Sequence, residues 1–263
     1  MLELFLFSML VGLLAGLLAG LFGLGGGVLI VPALYWLFTM QKFPQELLMI
    51  MAVATSLATI IFTSTSSIVA HHKLGAIQWG VVLRLTPGIL FGTSVGAIVA
   101  DFIEAEILRD VFVIYLLFVG FRMVLPKKNS REIKKAGQWL DYLMGNAIGF
   151  LSSILGIGGG TLTVPYLLAR QLRMKNAVAV SSACGFPIAV SGAVMYASLG
   201  YGQEALPEWS LGYVYLPALA GIVICSMVTA PIGARLANKV PAQQLKRYFS
   251  IVLFLIAAKM IAG

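Results

Sequence analysis

The sequence predicts an all-α integral membrane protein built as two inverted-topology repeats of one unit. Three observations predict this fold. The composition is too apolar for a soluble domain, long uncharged runs recur along the chain, and one Gly-rich motif occurs in each half. Each repeat is expected to contain a Gly-broken helix or helical hairpin, followed by three transmembrane helices.

The composition indicates the membrane class. Of the 263 residues, 60% are hydrophobic and only 11% are charged. Soluble domains carry about 25% charged residues, so most of this surface is expected to face lipid. The formal net charge of +8 indicates membrane topology and not nucleic-acid binding, because the basic residues lie in short loops between apolar runs. Cys184 and Cys225 lie within apolar runs and are expected to be packing residues, with no metal site or cofactor.

Uncharged runs mark the expected spans. A transmembrane helix needs about 20 apolar residues, and segments of this kind are 47–70, 74–100, 176–203 and 209–234. Segments 105–125 and 243–262 qualify if their flanking charges reach the interface. The first run, 4–41, is too long for a signal-peptide core and is expected to belong to the mature fold. Run 142–169 is longer than one span needs and shorter than two spans need.

An internal duplication explains that intermediate run. The motif Gly23-Leu24-Gly25-Gly26-Gly27 recurs as Gly156-Ile157-Gly158-Gly159-Gly160, with Val-Pro following at the same distance in both copies. Further matches follow at nearly the same spacing: 53–56 with 179–182, and 96–97 with 233–234. The predicted units are a first repeat over 1–126, a basic linker over 127–138 and a second repeat over 139–263.

Loop charges predict how the repeats are oriented. Loop 126–138 carries five basic residues against Glu132, and segment 170–175 carries three basic residues, so both are expected to be cytoplasmic. Loop 200–208 carries Glu204 and Glu208 without a basic residue and is expected outside. Each repeat then starts on one side and ends on the other, which inverts the second relative to the first, a feature of secondary transporters. The expected localisation is a multi-pass protein of the inner membrane, with its N- and C-termini on opposite sides.

The paired Gly motifs predict an anion site. Each Gly disfavours a helix interior by about 0.8–1 kcal/mol relative to Ala, so three together should break the helix. A helix that restarts after the break directs free N–H groups and its positive dipole end at the gap, and this binds anions without a charged side chain. We expect the N–H groups of 25–28 and 158–161 to converge near the membrane midplane. The alternative is that the glycines serve close helix packing.

Nearby polar side chains complete the predicted site. Thr55-Ser56 and Ser181-Ser182 occupy equivalent positions, although such hydroxyls can also bond their own helix backbone. Arg84 is the deepest basic residue in the sequence and is either a cationic partner or a side chain that reaches to the interface. His71 and His72 could carry protons or be plain interfacial residues. The predicted substrate-binding residues are Gly25, Gly26, Gly27, Thr55, Ser56, Arg84, Gly158, Gly159, Gly160, Thr161, Ser181 and Ser182.

The motifs resemble a known family. Residues 18–32, their weaker echo at 151–165 and the following Ala54-Thr55-Ser56 are similar to the TauE/SafE family of sulfite and organosulfonate exporters. The resemblance covers roughly 10–260, and it implies export of sulfite, sulfoacetate or a related sulfur oxyanion.

The predicted function is therefore an exporter of small sulfur-containing anions. An anion channel, or a carrier for another small anion, is the alternative, because no Asp or Glu lies inside an uncharged run. An enzyme is not expected, because no set of nucleophile, base and orienting group is legible. The expected partners are a small anion and the lipid bilayer, with a possible homodimer and no nucleic acid.

Overall fold

The chain is almost entirely helical. The computed structural model describes residues 2–22, 26–124, 137–236 and 242–262, and in these ranges it contains ten helices and one two-stranded hairpin. The helices are α1 Leu2–Phe22, α2 Gly27–Met40, α3 Gln45–Lys73, α4 Trp79–Phe102, α5 Ala105–Val124, α6 Gln138–Leu155, α7 Gly160–Ala169, α8 Met174–Leu199, α9 Leu216–Leu236 and α10 Ala242–Ala262. The strands are β1 Ser210–Leu211 and β2 Val214–Tyr215, which pair antiparallel.

Four helices of the described ranges are long and apolar enough to cross a membrane. They are α3, α4, α8 and the part of α9 from Leu216 to Gly233. These are the four segments in which the sequence predicted simple spans, and the prediction of an all-α membrane protein is confirmed. The two segments with flanking charges form α5 and α10, of 20 and 21 residues.

Each Gly motif turns the chain back on itself. Gly26 has φ 77° and precedes α2, and a Cβ placed on it would lie 3.0 Å from the carbonyl oxygen of Ala15 in α1. Gly156 and Gly159 have φ 65° and 72°, and Gly159 faces Ile148 and Ser152 of α6. Such positive φ values strain residues with a Cβ, so glycine is the residue that permits both turns. Of the two predicted alternatives, the structure therefore has helical hairpins.

The returning arms of both hairpins are short. Helix α2 has 14 residues and α7 has 10 residues, and at 1.5 Å per residue they extend about 21 and 15 Å. A bilayer core is about 30 Å thick, so neither arm crosses it. Both turns consequently lie inside the helix bundle and not at its surface, and Gly26, Gly27 and 156–160 are buried.

Parallel helix pairs hold the hairpins against the other repeat. Helix α1 packs along α9, with Gly12 against Ile222 and Gly16 against Ser226. Helix α6 packs along α4 in the same way, through close contacts that include Gly92 with Asn146. In both pairs the residue numbers rise together, so the helices run in the same direction. Small residues at these contacts let the backbones approach closely.

Helices α3 and α8 cross the centre of the molecule antiparallel. Leu57 lies against Gly192, and Ser64 lies opposite Gly185. Helices α5 and α10 also pair, through Gly120 and Phe254. Exchanging α1–α5 in order with α6–α10 converts the α1–α9 pair into the α6–α4 pair. The same exchange leaves the α3–α8 and α5–α10 pairs unchanged.

The helix directions place both termini at one end of the bundle. Helix α1 runs parallel to α9, and Lys259 near the end of α10 lies 3.0 Å from the ring centroid of Trp36, in a cavity also lined by Phe7 of α1. Helix α10 thus ends where α1 begins. Both termini, which were expected on opposite sides, thus lie at the same end of the bundle, because each hairpin returns to its own end.

Candidate functional site

The two Gly turns contact each other at the centre of the bundle. A Cβ on Gly27 would lie 2.4 Å from the carbonyl oxygen of Gly156 and 2.8 Å from Cα of Ile157. A Cβ on Gly156 would lie 2.9 Å from Cα of Val53 in α3. No side chain fits in these spaces, so the contact requires glycine on both turns. We refer to this region, residues 26–28 and 156–161, as the turn junction.

Two helices begin at the turn junction without a capping side chain. The N-cap residues of α2 and α7 are Gly26 and Gly159, and neither helix start has a side-chain cap hydrogen bond. The carbonyl of Gly26 accepts from the N–H groups of Leu29 and Ile30, which are the first to bond within the helix. The earlier N–H groups of a helix have no intrahelical partner and carry the positive end of the helix dipole. The start of α2 therefore contacts the Gly turn that leads into the start of α7.

Hydroxyl groups from α3 and α8 flank the junction. Ser56 donates a 2.7 Å hydrogen bond to the carbonyl oxygen of Gly156. Gly185 of α8 contacts Gly158, since a Cβ there would lie 3.2 Å from the Gly158 carbonyl oxygen. Ser181 and Ser182 are buried one turn before Gly185, and the Ser182 hydroxyl has no hydrogen-bond partner in the described ranges. Ser56 and the predicted glycines 26, 27 and 158–160 are thus together, whereas Gly25 lies outside the described residues.

Two other predicted site residues are hydrogen-bonded to other elements of the protein, and a third lies away from the turn junction. The Thr55 hydroxyl accepts a 3.0 Å hydrogen bond from the backbone N–H of Tyr215 in β2. Thr161 shares a short hydrogen bond with the Tyr115 hydroxyl of α5. The Arg84 side chain is exposed, because α4 turns Leu85 and Gly88 toward α6. The structure does not bring Arg84 to the turn junction.

Polar residues that the sequence analysis passed over lie close to the junction. Ser152 and Ser153 are fully buried in the last turn of α6, Thr163 is fully buried in the first turn of α7, and none of these hydroxyls has a partner in the described ranges. They lie three to four residues before or after the second Gly motif, so about one helical turn separates each of them from it. That spacing is the signal that could have identified them.

A buried carboxylate closes the open end of the second hairpin. Asp141 in the first turn of α6 accepts a 2.9 Å hydrogen bond from the Arg170 guanidinium just after α7, and a short hydrogen bond from the Tyr166 hydroxyl. Its side chain is 4% exposed. The uncharged run in the sequence begins after Asp141, so no carboxylate was expected within the apolar runs.

The first hairpin has no such ion pair among its described residues. The residues at the equivalent positions, by alignment of the Gly motifs, are Ser8, Ala33 and Leu37. Ser8 is fully buried and its hydroxyl has no partner in the described ranges. The two hairpins thus share their turns and differ in what holds their open ends.

An acidic cavity lies at the end of the bundle where α3 begins and α4 ends. Its volume is about 960 Å³, and it is lined by Glu46, Asp101, Glu104 and Glu106 among other residues. Arg109 also lines it but is paired with Asp110 at 3.1 Å. These carboxylates outnumber the basic side chains that line the cavity and give this mouth a negative potential.

Comparisons with known proteins identify relatives over the whole chain. The model of the sulfite exporter TauE/SafE family matches residues 8–260. A probable membrane transporter protein of Haemophilus influenzae is 39% identical over 261 residues, covering 99% of both chains. A probable membrane transporter protein of Methanocaldococcus jannaschii is 30% identical over 251 residues, covering 93% of this chain and 90% of the relative. A third, YunE of Bacillus subtilis, is 29% identical and covers 98% of this chain.

No solved structure matches the chain. The assignment therefore rests on the sequence matches together with the helical membrane fold. Both agree with the resemblance drawn from the two Gly motifs, and the chain is a membrane transporter that belongs to the TauE/SafE sulfite exporter family.

Proposed function

We propose that this protein exports small sulfur oxyanions, such as sulfite, sulfoacetate or a related organosulfonate, and binds them at the turn junction. The observation that carries the proposal is that the uncapped start of α2 contacts the Gly turn that leads into the uncapped start of α7. The anion would accept hydrogen bonds from backbone N–H groups of both turns. Ser56 and Ser182 border the same place.

Energetics favour backbone recognition at this depth. An unpaired anion in an apolar interior is prohibitively unstable, and the basic side chain predicted for the site, Arg84, is exposed elsewhere. A helix start stabilises a negative charge by roughly 0.3–2 kcal/mol. Two helix starts with added hydroxyl donors would bind a small oxyanion weakly enough to release it on either side.

The helix directions support an inverted-repeat transport mechanism. Helices α1 and α9 run parallel, as do α6 and α4, while α3 and α8 run antiparallel. Where the chain reverses direction between α3 and α4, and between α8 and α9 through the loop with β1 and β2, these pairings give equivalent helices opposite directions. We infer inverted repeats that rock about the turn junction, with the basic linker 127–138 on the cytoplasmic side.

The acidic cavity supports the outward direction of transport. By the same topology it lies at the external mouth, where Glu46, Asp101 and Glu104 repel an incoming anion. Such a mouth lowers the local anion concentration and favours release over rebinding. The cytoplasmic end carries the basic residues Arg173 and Lys175, which attract anions, whereas Arg170 is paired with Asp141.

Sulfite flux into proteoliposomes tests the proposal. The purified full chain should show saturable counterflow of radiolabelled sulfite, absent from protein-free vesicles, and no unitary currents in a planar bilayer. A thermal-shift screen against sulfite, sulfoacetate, taurine, thiosulfate and formate would rank ligands, because binding raises apparent stability. Transport of a cation, with no flux of any sulfur oxyanion, would sink the proposal, and unitary anion currents would replace the carrier by a channel.

A further inference from the structure

A line of buried polar residues on α3 remains unexplained by the turn junction. Ser64, Ser67 and His71 are spaced by three and four residues, so they lie on one face of the helix. Their exposed fractions are 4%, 3% and 4%. The face extends from the middle of α3 to its last turn, at the end of the bundle where α8 begins.

This face is turned toward α8. Ser64 lies opposite Gly185 and Leu57 lies opposite Gly192. In an antiparallel pair, the same register places Ser67 opposite Ser182 and His71 about one turn from Lys175. Lys175 is also the charged residue that acts electrostatically on His71. We name Ser64, Ser67, Ser182 and His71 the inner polar stripe.

The stripe connects the turn junction with one end of the bundle. At the junction, Gly185 contacts the Gly158 carbonyl. At the other end, the Asn176 side chain donates a 3.1 Å hydrogen bond to the carbonyl of Ala76, in the loop after α3. The polar groups between these points therefore follow the α3–α8 interface from the bundle centre to its edge.

Most groups of the stripe have unused hydrogen-bonding capacity. The hydroxyls of Ser67 and Ser182 and both ring nitrogens of His71 have no partner in the described part of the chain. A buried unpaired polar group is unfavourable for folding, so four such atoms along one interface indicate a polar ligand or water. Ser64 differs, since its hydroxyl bonds the Ile61 carbonyl of its own helix at 3.2 Å.

The other repeat lacks this feature. The match of 53–56 with 179–182 places Val190, Ala193 and Ala197 of α8 at the positions equivalent to Ser64, Ser67 and His71. Apolar residues therefore suffice for packing at these positions. The α3 residues of the stripe therefore have no polar counterparts on α8, and the stripe lies toward one end of the molecule.

We propose that the inner polar stripe is the path by which the anion passes between the cytoplasmic end and the turn junction, with His71 as its binding group at the entrance. The hydroxyls and the imidazole N–H donate to the oxyanion oxygens along the way. His72 takes no part, because it is exposed and its ring lies against Trp79. This inference rests on the proposed function for the nature of the ion, and on the structure alone for the path.

Transport by paired histidine variants tests the role of His71. In proteoliposomes, His71→Ala should raise the KM for sulfite presented at the cytoplasmic face about tenfold to a hundredfold, the effect of one lost hydrogen bond to a charged group. The KM at the opposite face should stay within a factor of about two of the wild-type value, which is the variation expected of a surface substitution without a specific effect. His72→Ala is the matched control and should behave as wild type. An unchanged cytoplasmic KM for His71→Ala would overturn the role of His71.

Cysteine accessibility tests the path without any substrate. In a chain with Cys184 and Cys225 replaced by Ala, Ser67→Cys should react with a small, membrane-impermeant anionic thiosulfonate applied to inverted membrane vesicles. Ala193→Cys, at the equivalent position of the other repeat, should stay unmodified. Equal reaction of the two variants would overturn the path. If wild type moves no sulfite while Ser67→Cys reacts, the substrate assignment fails and the path stands.

Discussion

At the scale of single residues, the turn junction depends on glycines, which have no Cβ atom. Gly27 and Gly156 are in contact because neither has a Cβ, and Gly26 and Gly159 adopt φ values that other residues adopt only under strain. Leu at position 26 or 159 would therefore disturb the backbone of the turn as well as fill the space beside it. A milder substitution next to the junction tests its role without placing a side chain in the packed turn.

Ser56→Ala is such a substitution. It removes the 2.7 Å hydrogen bond to the Gly156 carbonyl and leaves that buried acceptor unpaired, which should lower the free energy of unfolding by about 1–3 kcal/mol. It should also weaken sulfite binding, because the second turn is less well positioned. Thermal unfolding in detergent with and without sulfite measures both effects. Ser198→Ala, which removes an exposed hydroxyl bonded to its own helix, is the control, and equal behaviour of the two variants would contradict the role of Ser56.

The ion pair of the second hairpin gives a larger expected effect. Arg170→Ala leaves the buried Asp141 carboxylate uncompensated, and losing one partner of a buried pair lowers the free energy of unfolding by about 3–5 kcal/mol. Arg109→Ala removes the more exposed pair with Asp110, and this should change it by about 0–1 kcal/mol. Denaturant unfolding of both variants compares these values. A loss for Arg170→Ala no greater than that for Arg109→Ala would show that the hairpin does not depend on the pair.

At the scale of helices, close glycine contacts hold each hairpin to the other repeat. A Cβ on Gly92 would lie 2.0 Å from the carbonyl oxygen of Asn146, so Gly92→Ala must separate α4 from α6. Overpacking of this kind lowers the free energy of unfolding by about 1–3 kcal/mol.

Gly80→Ala in the same helix provides the comparison. Nothing lies within 4 Å of a Cβ at Gly80, and Ala favours helix by about 0.8–1 kcal/mol over Gly. Thermal unfolding should rank Gly80→Ala at or above wild type and Gly92→Ala clearly below it. The reverse order would mean that α4 and α6 do not pack as described.

The features that could be predicted from the sequence are those that depend on residues close together along the chain. Apolar length identified α3, α4, α8 and α9, and the triple glycines identified both chain reversals. The parallel pairing of α1 with α9 depends on contacts between distant segments, and periodicity carries no information about it. The same holds within the site. Ser56 was identified by its position in the repeat, whereas Arg84 faces outward because Leu85 and Gly88 occupy the packed face of α4.

Asp141 shows that the place of a charged residue in the sequence does not by itself reveal whether the residue is buried. The sequence placed this carboxylate at the edge of an apolar run, where an interfacial position is the simple expectation. The short arm α7 ends close to the start of α6, which brings Arg170 and Tyr166 to Asp141 and buries it. Only the hairpin geometry makes the carboxylate internal.

At the scale of the whole molecule, the two ends differ in charge. The cavity of about 960 Å³ is lined by four carboxylates, and the opposite end carries the basic residues Arg173 and Lys175. This polarity would draw an anion into one end and repel it at the other, an effect that salt screens over a Debye length of about 8 Å at physiological ionic strength. It alters rates and apparent affinities at each face and leaves the fold unchanged.

Neutralising the acidic mouth tests this polarity. Glu104→Gln should lower the KM for sulfite presented at the external face, and the change should shrink as salt is added. Glu204→Gln removes an exposed carboxylate near the same end that does not line the cavity, and it should have little effect. Counterflow measured at low and high ionic strength decides the matter. Loss of external affinity in Glu104→Gln would mean that the mouth binds substrate instead of repelling it.

The central claim is that a sulfur oxyanion binds between the two Gly turns. Selenite has the shape and charge of sulfite and contains a strong anomalous scatterer, so crystals of the protein soaked in selenite would reveal the position of the ion. We predict a selenium peak at the turn junction, with the selenite oxygens within hydrogen-bond distance of the backbone N–H groups of Gly27, Val28, Gly160 and Thr161. A selenium peak elsewhere in the bundle, or an empty junction in a protein that transports selenite, would contradict it.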